Sequence, residues 1–173
     1  AQYLMEGLFE NGAARRAVAL MTAPGDRSWR HMVESGATIT WEAWDMKYKP
    51  NQDWNHAWGA APANLLPRYI LGAQPLAAGW STAQISPHMS GNQNAKGRDT
   101  TTRGPLEFSC QNAPESYKLQ LTLPDGMRAQ LQLPATAGSG EVWCNEQRMS
   151  ARRVNAFWVL DRKLGGSVAC EVR

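Results

Sequence analysis

Two short stretches concentrate the residue types that do chemistry. One is Thr38-Ile39-Thr40-Trp41-Glu42-Ala43-Trp44-Asp45, the other Asn51-Gln52-Asp53-Trp54-Asn55-His56-Ala57-Trp58-Gly59. From Trp41 to Trp58 they hold four Trp, three carboxylates and one His. A sugar site is furnished in this way: indole faces stack on the apolar C–H faces of a pyranose, while Asp, Glu, Asn and His bond its hydroxyls. Glycoside hydrolysis also needs two carboxyl groups placed across the scissile bond. Glu42, set between Trp41 and Trp44, is expected to be desolvated, with a raised pKa suited to acid or base work. A plainer reading stands beside this one. Trp at i and i+3 packs a core, a lone Glu sits at the surface, and His56 after Asn55 caps a helix start.

Neither a metal nor a cofactor is expected. His31, His56 and His88 show no HxH or HExxH pairing. Cys110, Cys144 and Cys170 are odd in number and lack CxxC spacing, which argues against a zinc site or a disulfide framework. They read as small buried hydrophobes in strands, with one bridge in the second half as the alternative.

The elements that must position these residues differ between the two halves. Residues 1–10 read as a helix stopped at Asn11-Gly12, and 13–22 as a second stopped at Pro24-Gly25. Asp26 or Ser28 can cap a short third helix through Trp29, Met32 and Val33, ending at Gly36. Residues 37–54 look irregular. A last helix is expected from Asn55 to Ile70, kinked at Pro67 and ended by Gly72. After Trp80 the hydrophobic period changes to two. Strands are expected over 105–110, 117–123, 128–133, 141–145, 156–160 and 167–172, separated by Pro124-Asp125-Gly126, Gly138-Ser139-Gly140 and Gly165-Gly166. Residues 88–102 read as a polar loop. Six to eight antiparallel strands in this length suggest a β-sandwich of jelly-roll type. The halves are thus 1–80, helical, and 81–173, β-sandwich. Trp29, Trp41, Trp44, Trp54 and Trp58 are more aromatic surface than so small a helical bundle covers, so these helices are expected to complete a larger array.

The segments GATITWEAWD and NQDWNHAWGAAPANLLPRYILGAQPLAAGW closely resemble the end of the catalytic domain of bacterial α-L-rhamnosidases, glycoside hydrolase family 78. AQYLMEGLFENG and GDRSWRHMVESGAT fit the same domain, while RGPLEFSC and LTLPDGMRAQLQLP resemble the sandwich that follows it. The resemblance implies a fold, an α+β multidomain piece made of the last helices of an (α/α)6 barrel and an antiparallel β-sandwich. It implies an activity, inverting removal of terminal α-L-rhamnose from glycosides or polysaccharides. It also implies roles: Glu42 as general base and His56 as a rhamnose contact, with Trp41, Trp44 and Asn55 matching the motif as further substrate-binding residues. Asp45 matches a motif position to which no role attaches. The family's general acid belongs to an earlier barrel segment that nothing in residues 1–36 resembles. The chain is therefore expected to be a C-terminal fragment, inactive alone, whose partners are a rhamnose-containing glycoside and the rest of the barrel.

Bulk properties exclude other classes. A net charge of +3 is scattered, and the basic pairs Arg152-Arg153 and Arg162-Lys163 form no stripe for nucleic acid. No apolar run approaches the ~20 residues that span a bilayer, so no membrane partner is expected. The residues from Ala1 to Phe9 do not read as a signal peptide. A periplasmic or secreted location of the bacterial parent is slightly favoured over a cytoplasmic one. Two non-catalytic readings of the sandwich remain: a carbohydrate-binding module, or a brace for the barrel. Trp143 and Trp158 are its only large flat platforms, and both read as inward-facing, which favours the brace.

Overall fold

A computed structural model describes residues 1–89, 93–135 and 140–173. Compact packing divides these into two units, Ala1–Leu65 and Leu66–Arg173.

The first unit is helical, then irregular. Helix α1 (Gln2–Glu10) buries Met5 and Phe9, one turn apart on one face. Gly12 follows at φ 73°, a left-handed conformation that stops the helix without a Cβ penalty. Helix α2 (Ala14–Met21) packs on α1 through Ala14, Ala17 and Met21. Helix α3 (Trp29–Glu34) starts where Ser28 Oγ accepts the His31 amide at 3.1 Å, so Ser28 and not Asp26 is the cap. Residues 37–54 are irregular, as their aromatic and polar mixture predicts, and the irregular backbone runs on through Asn55 and His56.

The single long helix expected from Asn55 to Ile70 is instead three pieces. A 3₁₀ turn spans Ala57–Gly59, helix α4 spans Ala61–Leu65, and a π-turn spans Leu66–Ile70. Pro67 is the reason for the last break. It has no N–H to donate back along the helix, and its ring needs room against the preceding turn. The backbone widens, and the Leu71 amide reaches back to Leu66 O at 3.0 Å. The π-turn belongs to the second unit. Gly72, at φ 71°, then lies against Ser86, where a Cβ would come within 2.2 Å of the Ser86 carbonyl carbon.

The second unit is a sandwich of two sheets. One holds β1 (Ala73–Pro75), β2 (Thr82–Ile85), β6 (Arg128–Pro134), β10 (Phe157–Leu160) and β9 (Ala151–Val154), in the order β1-β2-β6-β10-β9. The other holds β3 (Gln93–Thr101), β4 (Gly104–Asn112), β5 (Tyr117–Thr122), β11 (Ser167–Val172), β7 (Val142–Cys144) and β8 (Gln147–Arg148), in the order β3-β4-β5-β11-β7-β8. Pairing is antiparallel except for β2 on β6, which is parallel. The inner faces are the alternate residues that the period of two picks out: Leu119 and Leu121 of β5, Leu131 and Leu133 of β6, Leu106 and Phe108 of β4.

Several expectations are corrected. Residues 93–101 form strand β3, not a loop, and strand structure begins at Ala73, ahead of the change of period at Trp80. Trp143 points outward, because Val142 and Cys144 on either side of it are buried. Trp158 does face inward as expected: it packs on the core and occupies the space a Cβ at Gly140 would need. Gly138 and Ser139 of the expected turn lie outside the described residues. Cys144 and Cys170 are not free hydrophobes. The register sets them directly opposite on β7 and β11, 4.1 Å apart at Cα, and they form a disulfide. Cys110 alone keeps the expected role, a buried thiol whose pKa burial pushes up.

Candidate active site

The site is made by two stretches of irregular backbone lying side by side in the first unit. The His56 amide donates to Thr40 O at 2.9 Å, and the Glu42 amide donates to Asp53 O at 2.9 Å. Thr40 Oγ1 returns a bond to His56 O at 3.1 Å. Gln52, only 6% exposed, turns its side chain inward and accepts the Ala43 amide on Oε1 at 3.1 Å. The motif residues are thus held by main-chain bonds and a buried amide, without a helix or strand. Irregular backbone keeps its polar groups satisfied only through specific partners of this kind.

Aromatic rings fix the walls. Trp41 is 7% exposed and meets Trp54 edge to face with centroids 4.7 Å apart. Trp44 meets Trp29 in the same way at 5.0 Å. The Trp29 indole N–H donates to Gly59 O at 2.7 Å, tying α3 to the turn after His56. Trp58, in contrast, is 90% exposed. Together Trp29, Trp41, Trp44, Trp58, Glu42 and His56 line a cavity of about 300 Å³.

Glu42 and His56 therefore share one concave surface, together with Trp41 and Trp44. Asn55 does not join them among the residues that line it. It is exposed, and its backbone amide contacts Asp53 Oδ1 at 3.3 Å.

The expected electrostatics of Glu42 are reversed. Its pKa is held below the ordinary carboxylate value, first by the Lys49 ammonium bonded to Oε1 and next by the Asp53 amide on Oε2 at 3.0 Å. Partial desolvation pushes the other way and is outweighed. Glu42 is accordingly an ionised acceptor, the form a base needs. Asp45 is also lowered, first by the Lys47 amide at 3.0 Å and then by His31 Nε2, likewise at 3.0 Å. Asp53 is exposed and stands 3.9 Å from His56 Nδ1.

Sequence reasoning did not single out Lys49, Gln52 or Gly59 as site residues. No spacing rule links a Lys seven residues downstream to Glu42, since only an irregular loop brings them together. Gly59 carried a faint signal as the end of Asn-His-x-x-Gly: a Cβ there would sit 2.5 Å from Trp41 O. Among the described residues no group of three or more His, Cys, Asp or Glu is arranged to hold a metal ion. No helix among them is long and apolar enough to cross a membrane.

Comparison with known proteins gives one consistent result. Residues 1–70 match the model of the bacterial alpha-L-rhamnosidase 6 hairpin glycosidase domain, and residues 72–147 match that of the bacterial alpha-L-rhamnosidase C-terminal domain. An alpha-L-rhamnosidase of Alteromonas sp. (strain LOR) is 25% identical over 157 residues, covering 81% of this chain and 17% of that protein. The solved alpha-L-rhamnosidase of Dictyoglumus thermophilum aligns over 99% of this chain and 20% of its own, with a TM-score of 0.86 and 21% identity. That of Streptomyces avermitilis, complexed with L-rhamnose, aligns over 99% of this chain and 17% of its own, with a TM-score of 0.82 and 21% identity. At that identity the structures establish a shared fold: a helical barrel end followed by a sandwich. The chain spans about a fifth or less of the length of each of these relatives.

Proposed function

The chain belongs to the bacterial α-L-rhamnosidase family, and from that premise we propose that it forms part of a glycosidase that removes terminal α-L-rhamnose with inversion, with Glu42 as its general base. The observation that carries this is the placement of an ionised Glu42 in one cavity with Trp41, Trp44 and His56. In this reading Glu42 takes a proton from a water that attacks the anomeric carbon. His56 and one or both Trp hold the sugar. The leaving oxygen is protonated by a second carboxyl, roughly 6.5–9.5 Å away across the ring in an inverting enzyme. Neither other carboxylate of the segment suits that task. Asp45 is engaged by His31 and the Lys47 amide, and Asp53 lies alongside Glu42 on the paired backbone. The acid is therefore assigned to barrel segments outside these residues, which also supply the missing wall. The rest of the barrel and a rhamnose-containing glycoside are the two partners. The Cys144–Cys170 disulfide supports an oxidising location, periplasmic or secreted.

The test is Glu42→Gln in the full-length protein. Sugar binding should persist while turnover falls roughly 10²–10⁴-fold. Unchanged turnover would remove Glu42 from the mechanism.

A second reading concerns the sandwich. Outward-facing Trp143 lies in a shallow depression with Lys118, Glu171 and Arg173. The Arg173 guanidinium lies over the indole, 5.5 Å from its centroid, so a sugar would stack there by displacing it. Titration with rhamnose and rhamnose oligosaccharides, comparing wild type with Trp143→Ala, decides whether this unit binds carbohydrate.

A further inference from the structure

We propose that Lys49 is a positioning residue for Glu42, its ammonium on Oε1 and the Asp53 amide on Oε2 together fixing the carboxylate toward the cavity. This rests on the reading of Glu42 as the base.

The argument is geometric. A carboxylate with two free oxygens rotates about its last torsion, and its broad two-fold profile gives the attacking water no fixed acceptor. Here both oxygens have a donor, on opposite sides of the group: Lys49 Nζ on one, the Asp53 N–H at 3.0 Å on the other. The second donor is itself anchored, since the same Asp53 accepts the Glu42 amide through its carbonyl at 2.9 Å. Lys49 is anchored in turn, because its carbonyl accepts the Gln52 amide at 3.0 Å and Gln52 holds Ala43. The clamp therefore closes on the residue next to Glu42 as well as on Glu42. Each oxygen keeps lone-pair capacity beyond its one donor, so a water can still be accepted.

The titratable groups facing Glu42 are Lys49 and, at longer range, His56. Asp53 presents its backbone to Glu42 and its carboxylate to His56. Lys49 is the nearest full positive charge. Without it the carboxyl should bind a proton more readily and swing more freely.

The experiment uses the full-length protein and an aryl α-L-rhamnoside. In Lys49→Met the acid limb of the kcat/KM profile should move to higher pH, lowering kcat/KM about tenfold on that limb and much less on the alkaline side. Lys49→Arg should restore the limb toward its original position. Raising the ionic strength on the unaltered protein should move the limb the same way as Lys49→Met, because the pair is partly exposed and is screened. That arm needs no variant to fold. A limb that stays in place both in Lys49→Met and at high salt would overturn the proposal. Glu42→Gln run alongside separates the two ideas: full turnover in that variant sinks the base assignment itself, whatever Lys49 does.

Discussion

Asp53 and Glu42 are bound to each other twice through the Asp53 backbone, once by each of its peptide groups. Glu42 donates its amide to Asp53 O at 2.9 Å and accepts the Asp53 amide on Oε2 at 3.0 Å. The Asp53 carboxylate takes no part in either bond. Asp53→Ala in the full-length protein should thus leave turnover within about fivefold of the original, the range of an exposed polar contact such as its 3.9 Å approach to His56. A collapse comparable to Glu42→Gln would show that the Asp53 side chain acts in the chemistry.

Gly59 is the point where the turn after His56 touches Trp41. A Cβ would stand 2.5 Å from Trp41 O, a backbone atom that cannot move cheaply. Gly59→Ala should cost about 1–3 kcal/mol by overpacking and should raise KM, because the turn and His56 shift together. Thermal melting and KM measured side by side check both parts. A change in stability with KM intact would place His56 outside substrate binding.

Asp45 makes the helical unit sensitive to acid. Its carboxyl is held below the ordinary range by the Lys47 amide and His31. A depressed carboxyl contributes stability above the ordinary carboxylate range and loses it as pH falls through the folded-state value. Asp45→Asn should lower the melting temperature at neutral pH, and the gap to the unaltered protein should close on acidification. A gap that stays constant with pH would mean that the ionised Asp45 is not what stabilises the loop.

The disulfide should be the main covalent support of the sandwich. Cys144 and Cys170 are separated by 26 residues, and opening a loop of that size costs about 2–4 kcal/mol. The double variant Cys144→Ser/Cys170→Ser should melt earlier by a corresponding amount. Unfolded without reductant, the unaltered chain should expose one reactive thiol, that of Cys110. Three reactive thiols would show that the bond does not form.

What the sequence disclosed follows from where periodicity and chemistry coincide. Strands β4, β5, β6 and β11 were legible because each places apolar residues at alternate positions, such as Leu106 and Phe108, Leu119 and Leu121, Leu131 and Leu133, and Val168 and Val172, facing one core. β3 was not. It pairs on one side only, with β4, and its inward positions are Ala95, Gly97, Asp99 and Thr101. The period of two is present there, but the residues are small or polar, because Leu71 covers Gly97. Trp41, Glu42, Trp44 and His56 came together as their types suggested. The raised pKa expected for Glu42 failed because a pair of Trp predicts burial, while the cation that overrides it comes from a loop with no pattern to read. Trp143 failed for a related reason. In a strand of three residues, the parity of one flanking Cys decides the face, and nothing marked which way it pointed.

The bond between Cys144 and Cys170 also bears on how the sheet ends. β7 has three residues and β8 two, and β8 closes that side of the sheet. Strands so short have few ladder bonds to hold their alignment, and sliding by one residue would turn Trp143 inward and Val142 outward. A covalent tie between directly opposed residues forbids that slide. It holds β7 on the sheet, and with it the two-residue border strand β8 that pairs on β7, where an unpaired edge would otherwise offer itself to another chain. Loss of the tie should therefore show itself in crowded solution as edge-to-edge association, before the sandwich as a whole unfolds.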